Sequence, residues 1–312
     1  MRIEYHRTLI ADHVRNDAFH AALKAVIKPG ETIVADIGAG TGLLGLMAAK
    51  LGAKKVLMFE AAEIAGVAAR AIKANRAKAC ELIPCHSTEF SERLQADVIV
   101  SETLGNYALE ENIIATIADA RRRFLKADGV IIPRGLKQYA APVVTPHIHD
   151  ELSAWDRVGR GLDFSAAKTM TLNNVYVRTL GAKDLLDGAS GAKVWDEIDL
   201  ARDGDPNRKG EARWKVRTPS NIYGFAVWWR ADLGAGLALS TAPDAPKTHW
   251  EQLYFPLVEP FAAKAGDSVS AEFRSRSSEA TGTHLAWTGT HDDAKGRRQA
   301  RFAMNLDKGY LP

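Results

Sequence analysis

The sequence predicts two domains, an α/β domain on a doubly wound, mostly parallel sheet and then an all-β domain. Three observations carry that expectation. Apolar strands and amphipathic helices alternate over the first 135 residues; three glycines mark the first strand-to-helix turn; and after Pro133 short alternating strands are separated by Gly, Asp and Pro. A length of 312 residues fits two domains, with the division at 1–133 and 134–312.

Residues 9–28, "LIADHVRNDAFHAALKAVIK", space apolar positions three and four apart and predict one helix, ended by "PGE". "TIVADIG" reads as a buried strand, and "TGLLGLMAAKLG" as a helix closed by Gly52. "KKVLMFEA" is a second strand, residues 63–79 an alanine-rich helix, and "CELIPCH" and "ADVIVSE" two further strands. "NIIATIADARRRFLKADG" predicts a basic-ended helix before a strand in "GVIIPRG". Beyond it, "LKQYAAPVVTPHI", "TMTLNNVYVRTL", "NIYGFAVWWRADL", "LALSTAP", "HWEQLYFPL", "SVSAEFRS", "THLAWTGTH" and "RQARFAMNL" predict the strands of a sandwich or barrel. "DELSAWDRVGRGLDFSAAK" reads as a helical excursion, and residues 186–214 as polar and loop-rich.

Composition narrows the function classes. Hydrophobic residues make up 46% and charged residues 25%, which argues for a packed core rather than disorder. Lys and Arg number 41 against 38 Asp and Glu, a balance that gives no nucleic-acid signature. Cys80 and Cys85 are too few for a disulfide framework and lack metal-ligand company, so no metal is expected. No run reaches the length of a membrane span, and the charged first residues do not resemble a signal peptide. A soluble, cytoplasmic protein is expected.

In "VADIGAGTGLLG", Gly38, Gly40 and Gly42 sit where a strand turns into a helix and allow close backbone approach to a ligand. The run Gly40-x-Gly42-x-x-Gly45 also admits a nicotinamide or flavin dehydrogenase. Asp36 argues against that, because two residues before the glycines it suits a methionine-derived amino group. Glu60, ending the next strand, suits a ribose diol, which both cofactor types offer. The Asp-x-Gly-x-Gly-x-Gly order with a distal acid resembles the first motif of class I S-adenosylmethionine-dependent methyltransferases. On that resemblance the cofactor is S-adenosyl-L-methionine. Adenine would lie near "CHSTEF", at Thr88 or Glu89, and Arg15 would pair with the methionine carboxylate.

The fourth strand ends in "SETLGNYALEE", at the crevice side of an open α/β sheet. Two carboxylates there, and no Asn/Asp-Pro-Pro-Tyr/Phe turn, imply a cationic acceptor. A guanidinium is planar, carries five N–H donors and stays protonated. Glu102 and Glu111, joined by a turn at Gly105, would grip it from two sides, with Glu110 a solvated neighbour. This pair resembles the double-glutamate hairpin of the protein arginine methyltransferases. Thr248, His249 and Trp250 in "KTHWEQ" resemble the family's Thr-His-Trp loop. The resemblance implies that His249 lies beside the substrate, paired with Asp12 or assisting proton loss, and that Thr248 and Trp250 help bind substrate. It also implies that "WDRVGRGLDFS" is part of a helical arm, at about 150–168, that makes a head-to-tail homodimer.

The match has departures. The family's asymmetric-dimethylating members usually read Ser-Glu-Trp-Met-Gly-Tyr where this chain has Thr103, Leu104 and Asn106, and Ile113 replaces a methionine. The product is therefore open. The family's two-tyrosine lid helix is expected upstream of residue 1, with Tyr5 and His6 as its remainder. The acceptor is expected to be an arginine-containing protein or peptide; a free guanidine, or a weakly catalytic dimeric scaffold, are the alternatives.

Overall fold

The computed structural model describes residues 3–278 and 280–308, with Lys308 described in its backbone alone. A five-stranded parallel sheet comes first. It comprises β1 (Ile33–Ile37), β2 (Lys55–Phe59), β3 (Cys80–Ile83), β4 (Ala96–Ser101) and β5 (Leu125–Ile132), in the order β3-β2-β1-β4-β5. Strand order reverses between β1 and β4, which opens a crevice at their C-terminal ends. In register, Ile37 lies beside Ser101, so Gly38 and Glu102 emerge together at that crevice.

The helices of this part are α1 (Ile3–Ala11), α2 (His13–Val26), α3 (Leu43–Lys50), α4 (Ala65–Ala74) and α5 (Ile113–Phe124). The single helix expected over 9–28 is two helices, because Asp12 leaves the helical conformation and accepts the Arg15 backbone N–H as N-cap of α2. The helix expected over 112–129 stops at Phe124. Leu125 turns extended to pair with Ala96, so "LKADG" joins β5. Likewise α4 is shorter than the expected 63–79.

Two antiparallel sheets follow in a barrel-like arrangement. The first holds β6 (Gly135–Val143), β7 (Tyr176–Arg178), β8 (Lys193–Asp199), β10 (Ser220–Gly234) and β12 (Gln252–Ala263), with β11 (Leu237–Ser240) on β10. The second holds β9 (Arg208–Lys215), β13 (Ser268–Ser278), β14 (Gly282–Asp292) and β15 (Arg298–Asn305). Between β6 and β7 lie α6 (His147–Leu152), a 3-10 turn (Ala154–Arg157) and α7 (Ser165–Leu172).

Here too the sequence reading is corrected twice. "TMTL" belongs to α7, not to a strand. Thr169 and Thr171 donate their hydroxyls to the carbonyls of Ser165 and Ala167, so the helix itself satisfies these β-branched polar residues. The supposedly loop-rich 186–214 contains β8 and β9; β9 buries only Ala212 and Trp214 among charged outward residues, which hid its alternation.

One continuous apolar core runs from Val34, Phe59 and Ile99 in the parallel sheet, through Leu104 and Tyr107, to Trp229, Trp250 and Phe255. The two sheet systems therefore meet at the segment that follows β4. Among the described residues, no helix is long and apolar enough to cross a membrane, and no cluster of three His, Cys, Asp or Glu residues could hold a metal.

Candidate active site

The crevice at the ends of β1 and β4 is a cavity of about 320 Å³, in the size range of a small-molecule site. Asp36, Gly38, Gly40, Glu60, Arg15, Glu102 and Glu111 line it. Residues spread over 15–111 converge because each follows, or stands beside, the C-terminal end of a parallel strand.

Asp36 is 1% exposed. Its Oδ2 accepts the Gly45 N–H at 2.8 Å, while Oδ1 is buried with no partner. Burial is the chief cause that raises its carboxyl to about 7, against the pull of the Gly45 bond and Arg15. Gly38 has φ +74, and a Cβ there would fall 2.8 Å from Thr103 Cγ2, so the chain turns only with glycine. Gly42, the N-cap of α3, has φ +86. It does not itself line the cavity; it lets α3 begin beneath Met58, where a Cβ would collide.

Glu60 braces this turn. Its Oε2 accepts the Gly40 N–H and its Oε1 the Ala62 N–H, both at 2.8 Å. Each oxygen keeps a lone pair for a ligand hydroxyl. Thr88 and Glu89, the sequence candidates for an adenine contact, are exposed and stand outside the cavity; Cys85, His86 and Ser87 line it. Arg123 on α5 holds that loop by donating to the carbonyls of Ser87 and Phe90, while Asp119 holds Arg123 in turn.

Sequence reasoning undervalued His6. It is the buried residue of α1, it lines the cavity over Gly40, and its Nε2 has no partner. Burial lowers its pKa, so it stands there as a neutral imidazole. The one signal in the sequence was its place in the remainder of the expected lid region; by itself, a single histidine on a short helix looks like a surface residue. Tyr5 also lines the cavity, so α1 covers the crevice that the lid was expected to cover.

The segment after β4 carries the acids. Glu102 has a side chain 4% exposed and pairs with Arg15, whose side chain is 7% exposed. Arg15 Nε donates to Glu102 Oε2 at 2.7 Å, Nη2 donates to the same oxygen, and Nη1 donates to Asn16 Oδ1 at 2.6 Å. Burial raises Glu102 and Arg15 opposes that rise. Glu111 stands at the open mouth of the same cavity. Desolvation, then repulsion from Glu102, Glu110 and Glu60, brings its carboxyl up to about 7.

Gly105 does not adopt a left-handed conformation; it supplies room. A Cβ there would lie 1.9 Å from Glu110 Oε2, so only glycine leaves room for the exposed Glu110 side chain that lies over the turn. The turn is clamped from the other sheet system. Trp250 Nε1 donates to Leu104 O at 2.8 Å, Trp229 Nε1 to Gly105 O at 3.0 Å, and the Glu251 N–H to Asn106 Oδ1 at 2.8 Å. The two indoles meet edge to face at 4.9 Å.

His249 sits beside Asp12, as the sequence reading had it: Nδ1 lies 2.7 Å from Asp12 Oδ2, which also accepts the His249 backbone N–H at 2.8 Å. Burial lowers the histidine's pKa against the opposing pull of Asp12. Burial also works against ionisation of Asp12, but the bonds from Arg15 and His249 hold its carboxyl below the usual range. The Nδ1 proton therefore faces a carboxylate, and Nε2 keeps a buried, unpartnered lone pair. His249, Trp250 and Thr248 do not line the cavity; Thr248 Oγ1 donates to Trp250 O, and Trp250 acts on the hairpin.

Comparison with known proteins gives two family matches. Residues 137–288 match the arginine methyltransferase oligomerization subdomain, and residues 19–157 match the ribosomal protein L11 methyltransferase (PrmA) family. Protein arginine N-methyltransferase 6 of Danio rerio is 29% identical over 297 residues, 91% of this chain and 84% of that protein. The arginine N(omega)-methyltransferase of Streptomyces achromogenes subsp. streptozoticus is 29% identical over 277 residues, 85% of this chain and 74% of its own. In fold, the chain is similar to the Trypanosoma brucei PRMT1 enzyme-prozyme heterotetrameric complex with AdoHcy. The TM-score is 0.85 at 22% identity, covering 97% of this chain and 98% of that one.

Proposed function

Since the chain belongs to the protein arginine methyltransferase family, we propose that it moves a methyl group from S-adenosylmethionine to an arginine guanidinium nitrogen gripped by Glu102 and Glu111. The observation that carries the reading is the pair of acids in one cavity, one with its side chain buried against Arg15 and one exposed at the mouth. A buried acid at a mouth of like charge favours a cation, and a guanidinium offers donors to both carboxylates.

The cofactor fits the residues around it. Asp36 Oδ1 is a buried acceptor without a partner, as an ammonium group requires, and an ammonium would return this raised acid to its ionised form. Glu60 retains acceptors for ribose hydroxyls, and His86 and Ser87, rather than Thr88 and Glu89, border the space left for adenine. His6 offers a further polar contact above Gly40. When bound, S-adenosylmethionine supplies an electrophilic methyl group on sulfonium.

Glu102 and Glu111 orient the guanidinium so that the free nitrogen faces the cofactor side, and they draw positive charge toward the nitrogens they hold. Trp250 and Trp229 fix the backbone that aims Glu102. His249, through Asp12, ties the Thr-His-Trp loop to the start of the helix bearing Arg15; this positioning role is better supported than proton transfer, because the ring stands outside the cavity lining.

A free guanidine is the second acceptor, favoured by the relative named for arginine itself. Incubating the protein with isotope-labelled cofactor and either arginine peptides or free arginine, then locating the label by mass spectrometry, separates the two. Label in neither overturns the reading.

The helical segment from α6 to α7 is proposed as a dimerisation arm. It exposes Trp155, Val158, Leu162, Phe164 and Met170, and α1 and α2 expose Ile3, Ile10 and Val14, which offers two apolar surfaces for a head-to-tail pair.

A further inference from the structure

We propose that the outer face of the second antiparallel sheet docks the phosphate backbone of a nucleic-acid duplex. The proposal stands apart from methyl transfer, since no residue of this face lines the active-site cavity.

Strands β15, β14, β13 and β9 turn one face inward, where Ala212, Trp214, Phe273, Leu285 and Trp287 are buried. Side chains alternate along a strand, so the residues between these point out. Strand register sorts the outward residues into rows across the sheet. Lys209 and Arg274 stand side by side, with Arg276 next along β13. About 14 Å along the strands, Arg213, Ser270, Thr290 and Arg301 form another row, and Lys215 and Arg298 close the far end. These seven cations face four acids, Glu211, Glu272, Asp292 and Asp307. The surplus of three equals the formal net charge of the whole chain, so the overall balance of 41 against 38 conceals one basic face.

Ion pairing does not spend these cations. Glu272 serves both Lys209 and Arg274, while Glu211, Asp292 and Asp307 hold Arg213, Arg298 and Arg276. Among the described residues, Lys215 and Arg301 have no carboxylate partner. The paired cations keep 41–77% of their side chains exposed, and pairs so open to water hold weakly enough to be shared with a phosphate. Two depressions of about 420 and 450 Å³ lie on the face, one bordered by Lys209, Arg274 and Arg276, the other by Arg213, Lys215 and Arg298.

What the face lacks decides the partner. None of its outward strand residues is aromatic or a large aliphatic; Ala286, Thr288 and Ala303 fill its middle. A protein interface centres on apolar and aromatic anchors, and a single strand stacks its bases on aromatic rings. A duplex backbone needs neither. It needs Lys and Arg, with hydroxyl donors such as those of Ser270, Thr288 and Thr290.

The test uses the full chain and fluorescence anisotropy with labelled duplexes of DNA and of RNA over a salt series. Wild type is expected to bind, with log K falling against log salt at a slope of about −3, as about three to four neutralised phosphates give. Arg213→Glu/Arg274→Glu/Arg301→Glu is expected to bind about tenfold or more weakly, with a shallower slope and unchanged S-adenosylhomocysteine affinity. Arg213→Gln/Arg301→Gln, which introduces no new charge, is expected to weaken binding about threefold. The exposed cations on and after α4 supply the control: Arg70→Glu/Lys73→Glu/Lys78→Glu changes net charge equally and is expected to leave binding near wild type. Binding of either duplex on this pattern supports the surface, and a preference between DNA and RNA names the source. No binding, a slope near zero, or equal weakening by the two triple variants overturns it. A glutamate-rich peptide that binds where neither duplex does overturns it in favour of an acidic protein.

Discussion

Burial lifts both Asp36 and Glu111 to about 7, with repulsion from Glu102, Glu110 and Glu60 adding to the rise of Glu111. Asp36 must be ionised to hold an ammonium group, so cofactor affinity is expected to fall about tenfold per pH unit below 7. The variant Asp36→Asn is expected to lose both the affinity and its pH dependence, measured by titration with S-adenosylhomocysteine. Stability has the opposite sign. Asp36 rises from 3.8 to about 7 on folding, so between these values the folded protein retains a proton that the unfolded chain releases. Raising the pH through that window therefore destabilises the cofactor-free protein through this group, by about 1.4 kcal/mol per pH unit. Urea denaturation of wild type and Asp36→Asn across the window is expected to differ by that slope; parallel curves would contradict it. Glu111 adds a second ionisation near the same pH, which is expected to appear in kcat/KM for the guanidinium substrate and to vanish in Glu111→Gln.

The segment after β4 depends on a clamp whose parts lie more than a hundred residues downstream. Trp250→Phe keeps an aromatic side chain, smaller than the indole, but deletes the donor to Leu104 O. It is expected to cost about 1 kcal/mol of stability and to lower kcat while cofactor affinity stays within twofold, by the roughly unchanged contacts of β1. Arg123→Lys, which cannot reproduce a guanidinium bridging Ser87 O, Phe90 O and Asp119, is expected to raise the cofactor KM with little effect on kcat. These two elements also mark the limit of what the sequence could convey. The glycine turn, Asp36, Glu60 and the acids after β4 were legible because strand ends and glycines are local signals. The clamp was not, since Trp250 read as a substrate contact and nothing local says that an indole reaches a distant carbonyl. The cavity wall is formed by His86 and Ser87 and not by the expected Thr88 and Glu89 for a related reason: Arg123 folds the loop from another helix. Asp12 broke one expected helix into two because a cap, not an apolar period, decided the boundary.

Across the whole molecule, the continuous core through Leu104, Tyr107, Trp229 and Trp250 makes the parallel sheet and the antiparallel sheets one unit around the cavity. The arm from α6 to α7 projects apolar side chains, with Leu162 59% exposed. The variant Leu162→Asp is expected to move the protein toward monomer in light-scattering chromatography, since a charge there opposes burial; an unchanged mass would remove the arm from the interface. The proposed reaction rests on two carboxylates gripping a guanidinium. The most direct measurement is transfer of an isotope-labelled methyl group to an arginine peptide and to free arginine by wild type, Glu102→Gln and Glu111→Gln, with cofactor affinity measured alongside. The expected result is label on a guanidinium nitrogen in the wild type and a loss of roughly 10²–10³-fold in kcat in each variant, with cofactor affinity little changed in Glu111→Gln. Undiminished transfer by Glu111→Gln with cofactor bound would contradict the two-carboxylate grip.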